Sequence, residues 1–318
     1  MNLPFNFTYS SILYLFLAIA FNLLYHFILG ARLAFLIRTI GGKISIMHSF
    51  YVFCITKFSS IITPFITGSL ISKPLATRHY TGLPISKGLL VTVFEQLIDL
   101  VLLIFLFPIT IIFAGSYFLS FTTDIYIIIT FITSILALTC LIIFIFKYEY
   151  FIKLCWNIKN FFPKFLLNFG RKHKITKKDT IMKFSQIKEQ FLNRKTILRI
   201  LPYTMLQALL IPLVLYFTIA TIHFKINYPT AFLLYFIPTI IGRLSGVPGG
   251  FGTTDITLGS LLLFLGMTPI NATFVILLFR IISLSPAIII GGYLTFYLST
   301  KYSLKLLASS EKNHNPKN

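Results

Sequence analysis

The sequence predicts an all-α, polytopic integral membrane protein built around an inverted-topology repeat, and three observations carry the fold class. Hydrophobic residues make up 56% of the 318-residue chain and charged residues 11%, a balance that a water-soluble domain does not tolerate. Apolar stretches run to 20 residues and more, enough to cross a bilayer core of about 30 Å as helix. The alternation of apolar and polar residues that a membrane barrel requires is absent. A chain filled by such spans has no room for a fused catalytic domain, and one transmembrane domain is expected over residues 1–318.

Runs at 9–29, 88–113, 124–146, 200–224 and 270–298 each suffice for one crossing, with Pro108, Pro212 and Pro286 expected to kink their helices. No Lys or Arg precedes the first run, unlike a cleaved signal peptide, so it is expected to be retained. Between these spans lie 44–80 and 229–268, which are apolar but broken by Pro, Gly and isolated charges.

Charge placement decides their course, because basic residues beside membrane spans stay cytoplasmic. Arg32, Arg38 and Lys43 follow the first run, and Lys73, Arg78 and Lys87 precede the second. Fourteen basic residues fill 147–199, and Lys301, Lys305, Lys312 and Lys317 form the tail. Placing these 24 of the 28 Lys and Arg inside leaves Lys225 outside and Lys57, Arg243 and Arg280 at membrane depth. The expected protein is a multi-pass cell-membrane protein with its N-terminus outside, and with the loop 147–199 and the C-terminus cytoplasmic. Each broken stretch then begins and ends on one side, as a re-entrant or broken-helix hairpin does; a pair of full helices also fits.

An internal repeat supports the hairpins. Pro64, Gly68 and Gly82 recur at an offset of 184 as Pro248, Gly252 and Gly266; with one inserted residue, Phe94 matches Phe279 and Glu95 matches Arg280. The halves, 9–113 and 200–298, have opposite orientation, with the span at 124–146 and the basic loop as connector over 124–199 and a basic tail at 299–318.

The most distinctive stretch runs from Arg243 to Asp255. Pro248, Gly249, Gly250 and Gly252 cannot continue a helix, while Thr253 or Thr254 can cap a new one that has Asp255 in its first turn. A broken helix at membrane depth exposes amides, and with Arg243 nearby these form an anion site whose expected guest is a lipid phosphate, held by Arg243, Gly249, Gly250, Gly252 and Thr253. Glu95 and Asp99 lie on one face of an otherwise apolar helix and need partners, each costing about 2.5 to 3.5 kcal/mol if unpaired at a helix centre. Arg280 is the expected partner of Glu95, within an intramembrane charged network of Lys57, Glu95, Asp99, Asp255 and Arg280.

In the connector, Phe151, Ile152, Cys155, Ile158 and Phe162, then Phe184, Ile187, Phe191 and Leu192, recur at helical spacing among lysines. This pattern predicts helices lying on an anionic membrane surface. Cys54, Cys140 and Cys155 lack paired spacing and the six His are scattered, so neither metal nor cofactor is expected.

Glu95-Gln-Leu-Ile-Asp99, the Pro248-Gly-Gly-Phe-Gly252 turn with an acidic residue three positions on, and Arg280 in the following helix resemble the lysylphosphatidylglycerol synthase transmembrane-region family, or flippase-like domain proteins. Two positions depart from it: the family commonly has Glu-Arg at Glu95-Gln96 and Glu at Asp255. The resemblance implies transbilayer movement or binding of an anionic or aminoacylated phospholipid, or of a polyprenyl-phosphate-linked lipid. No covalent chemistry is expected of such a chain. A membrane-embedded head-group transferase and a secondary transporter of a small solute are the alternatives. Membrane lipids are the expected partners and nucleic acid is not, while association between copies of the chain is left open.

Overall fold

The structure is a computed structural model that describes residues 8–63, 67–118 and 193–298, together with 132, 135, 139, 191 and 300. Most of the span expected at 124–146, the basic connector before residue 191, the tail, Pro64, Cys140 and Cys155 lie outside the described residues.

Among the described residues the ordered elements are helices: α1 (Tyr9–Thr39), α2 (Ile46–Ile62), α3 (Thr67–Thr81), α4 (Ile85–Phe118), α5 (Arg194–Ala220), α6 (Tyr228–Leu244), α7 (Thr253–Phe264) and α8 (Pro269–Pro286). Side chains that accept from a backbone amide set several starts, Ser45 for α2, Asn193 for α5, Asn227 for α6 and Thr268 for α8. Among the described residues, four stretches are long and apolar enough to cross a membrane: α1, Ile85–Leu106 within α4, α5, and α8 continued to Leu298. The chain is a polytopic α-helical membrane protein.

α1 is longer than the first crossing read from the sequence. It continues for 31 residues because the segment around Arg32 stays apolar, Gly30 and Ala31 before it and Leu33 to Ile37 after it. Pro108, Pro202 and Pro212 sit inside their helices without ending them. After Pro286 the ladder shifts to a π segment, Ala287–Gly291, before α-helix resumes. Proline removes an amide donor, and a local change of hydrogen-bond register is one way the freed carbonyls are satisfied.

α1 and α5 pack antiparallel. The Phe21 ring stacks on Phe217 with centroids 5.5 Å apart, and the Thr8 hydroxyl meets His223 Nε2 at 3.0 Å, so the start of α1 lies beside the end of α5. At that end an apolar cluster gathers Ile219, Leu262, Met267 and Ala272, and at the other a cluster gathers Leu36, Ile40, Ile44, Leu90 and Ile200, with Leu294 and Leu298 against it. Arg38 donates to the carbonyl of Ile44 at 2.7 Å and fixes the loop between α1 and α2. Phe191 does not lie on a membrane surface: it is fully buried in the second cluster and stacks on Phe94 at 4.4 Å.

α2 and α3, and then α6 and α7, form the broken stretches. They have 17, 15, 17 and 12 residues, all short of the roughly 20 that a 30 Å core requires. The glycine turn after α6 approaches the tip of α2, since a Cβ built on Gly249 would lie 3.6 Å from the Cα of Ile61.

The sequence repeat is mirrored only in part. Gly82 after α3 and Gly266 after α7 both adopt positive φ, +71° and +87°, and in each case a helix beginning near a proline follows. Gly68 and Gly252 differ, for Gly252 has φ +83° before α7 whereas Gly68 lies in the first turn of α3.

Candidate functional site

Between the two hairpins lies a cavity of about 320 Å³, to which α1 through α8 contribute lining residues. On α1 the lining residues are Tyr25, His26, Leu29 and Arg32, which form one face by their helical spacing. Four cationic side chains line the cavity, Arg32, Lys57, Lys73 and Arg280, alongside three anionic ones, Glu95, Asp99 and Asp255.

These charges form two networks. In the first, Arg32 reaches Glu95 at 2.8 Å and Asp99 at 2.6 Å, while Lys73 pairs with the second carboxylate oxygen of Glu95. Gln207 of α5 donates to Asp99 at 3.2 Å. Arg32, Lys73 and Glu95 are all essentially buried, at 1%, 3% and 2% exposure. Two cations and two anions thus compensate one another where each alone would be costly.

In the second network Arg280 donates to Asp255 at 2.7 Å, to the hydroxyl of Thr254, and to the carbonyls of Gly249 and Gly250 at 3.3 and 3.4 Å. Its guanidinium also stands 4.9 Å from the Phe251 ring centroid. Asp255 accepts the amide of Gly252 at 2.9 Å, so this carboxylate, rather than a threonine hydroxyl, caps α7. The amides of Gly250 and Phe251 bond to the carbonyls of Val247 and Pro248. Asp255 therefore takes the anion position at the helix start that the glycine turn leads one to expect for a phosphate. Thr253 meets Ser245 at 3.0 Å.

The two hairpins carry these pairs with opposite polarity. The cation Lys73 is on α3 and its anion Glu95 on α4, whereas the anion Asp255 is on α7 and its cation Arg280 on α8.

Sequence reasoning named Glu95, Asp99, Asp255, Arg280 and Lys57 as a charged network, and the cavity brings all five together. The pairing is different. Glu95 does not meet Arg280, because Arg32 and Lys73 take it, and Arg280 is held by Asp255. Arg32 and Lys73, assigned to cytoplasmic loops, instead lie within the protein. The signal for Arg32 was the apolar run that continues beyond it to Ile37. Gly249 and Gly250 line the cavity. Arg243 lies in the last turn of α6, with its side chain outside the described residues.

Because Glu95 and Arg280 share no partner, Glu95→Gln and Arg280→Gln are expected to be additive in their effects on thermal stability, within about 0.5 kcal/mol. A double mutant that recovers part of either loss would show that they interact.

The family model for the lysylphosphatidylglycerol synthase TM region matches residues 6–291. No curated protein matches the chain.

Proposed function

The chain belongs to the lysylphosphatidylglycerol synthase TM region family, and on that premise we propose that it binds an anionic phospholipid, or a lipid linked through a polyprenyl phosphate, and moves its head group across the bilayer. The observation that carries this reading is the cavity between two broken hairpins, lined by both charged networks and, among the described residues, by one more cation than anion. A phosphate has to leave water to cross a membrane, and a buried site with preformed cationic donors replaces its hydration shell.

In this reading the phosphate engages the second network. Arg280 offers a fork that binds either a carboxylate or a phosphate, and Asp255 holds that place in this structure. An incoming phosphate exchanges with Asp255, taking over Arg280 and the amide of Gly252. The inverted repeat supplies the means of alternating access: two units of opposite orientation, each with a short-helix hairpin, can open the shared cavity to either face. The basic connector and tail mark the cytoplasmic side of a cell membrane by the positive-inside rule.

Liposomes holding the purified full-length protein and a head-group-labelled phospholipid test this. Label in the inner leaflet is expected to become accessible to an external quencher faster than in protein-free liposomes, with the lipid mass unchanged. Arg280→Gln is expected to slow that exchange at least about tenfold, since a charge-assisted hydrogen bond contributes about 1.5 to 3 kcal/mol. A changed lipid mass would indicate a transferase, and an unaltered exchange rate in the variant would remove Arg280 from the path.

A further inference from the structure

Arg280 is held by two kinds of contact, and an exchange of Asp255 for phosphate disturbs only one of them. Its Nε donates to Asp255 at 2.7 Å, its Nη1 to the carbonyl of Gly249 at 3.3 Å, and its Nη2 to the carbonyl of Gly250 at 3.4 Å and to the hydroxyl of Thr254. Each of these uses an N–H. A guanidinium has a fixed set of donors, so a phosphate that takes the fork draws on those that these acceptors engage. The contact with Phe251 is different. The Cζ of Arg280 stands over the face of that ring, 4.9 Å from its centroid, and a ring face attracts a cation without occupying a donor.

The glycine turn places the ring. Gly249 has φ +61°, and a Cβ on it would lie 2.7 and 2.9 Å from Cε2 and Cδ2 of Phe251, so the ring rests on the bare face of the glycine. The amide of Phe251 donates to the carbonyl of Pro248 at 3.2 Å and fixes the backbone from which the side chain projects. At 42% exposure, burial alone does not account for the position of the ring. Gly249, Gly250, Thr254, Asp255 and Arg280 line the cavity, whereas Phe251 does not. It leaves the guest's space open and touches the cation from outside that lining.

Resting on the phosphate reading above, we infer that Phe251 is a positioning residue, which keeps the Arg280 guanidinium facing the cavity while Asp255 gives way to phosphate. Without the ring, Arg280 is held only by groups that compete with phosphate for its N–H donors. An aliphatic side chain of similar size is no substitute, since it has no negative face to offer a cation. Affinity for the phosphate therefore depends on aromatic character at position 251, and depends on it through Arg280.

Native mass spectrometry of the full-length protein in detergent, titrated with phosphatidylglycerol, tests this beside thermal unfolding without added lipid. Phe251→Leu and Phe251→Met are each expected to weaken retention about threefold to fivefold, and Phe251→Tyr and Phe251→Trp to stay within about twofold of the parent. In an Arg280→Gln background Phe251→Leu should weaken retention no further, because the cation that the ring positions is gone. Unfolding supplies the arm that is independent of lipid: Phe251→Leu should lower the unfolding temperature more in an Asp255→Asn background than in the parent, where the carboxylate still holds Arg280. Leucine retaining lipid as the parent does, or tyrosine losing as much as leucine, would overturn the inference and leave the ring a part of the turn's shape. A loss that persists undiminished in the Arg280→Gln background would overturn it as well. In each of these cases the proposed function stands, since the parent still binds. Displacement of the lipid by an equal concentration of inorganic phosphate would remove the lipid reading and leave the role of Phe251 intact, while a parent that retains no phosphatidylglycerol would remove both.

Discussion

Arg32→Met is expected to be the most damaging single substitution in the described part of the chain, with a loss of about 3 to 5 kcal/mol in stability, the range for removing one partner of a buried ion pair. Arg32 bridges α1 to two carboxylates of α4 and is itself 1% exposed. Without it Lys73 still compensates Glu95, but Asp99 is left with only the amide of Gln207. The stranded charge identifies the rescue. Arg32→Met combined with Asp99→Asn restores a neutral cluster around the Lys73–Glu95 pair and is expected to recover most of the loss, whereas Arg32→Met with Asp255→Asn should recover none. Thermal unfolding in detergent reads all of these, and failure of the Asp99 rescue would mean that the pairing is not what holds α1 to α4.

The second large effect is steric. Gly291, at the end of the π segment, packs so closely on α2 that an added Cβ would collide with the carbonyl of Cys54 and come within 3.0 Å of the Phe58 Cβ. Backbone meets backbone there, and no rotamer change relieves the clash. Gly291→Ala is expected to cost up to about 3 kcal/mol, as overpacking in a dense core does. Gly292 is the control, since its added Cβ would meet only the Phe58 ring, at 3.3 Å, and a ring can shift. Gly292→Ala should therefore lower the unfolding temperature much less than Gly291→Ala. Equal effects would mean that the close backbone contact of α2 with the π segment does not hold the two together.

The gradations of these effects were not legible in the sequence, although their setting was. The apolar content and the length of the apolar runs determined an α-helical membrane protein, because a bilayer core admits only segments that satisfy their own backbone. Pro248 with Gly249, Gly250 and Gly252 determined where a helix breaks, since conformation at such residues is local. Isolated charges in apolar helices determined that Glu95, Asp99 and Arg280 have partners, because hydrocarbon offers no solvation.

Which partners they have was decided by the tertiary structure alone. Arg32 and Glu95 are 63 residues apart, and local spacing cannot say that α1 crosses α4 at that height; an alignment of halves pointed to Arg280 instead. The same holds for Lys73, whose side chain is buried only because α3 folds back against α4. Asp255 was legible in the first turn of a new helix but not as the occupant of the anion position, since the approach of Arg280 depends on how α8 packs on α7.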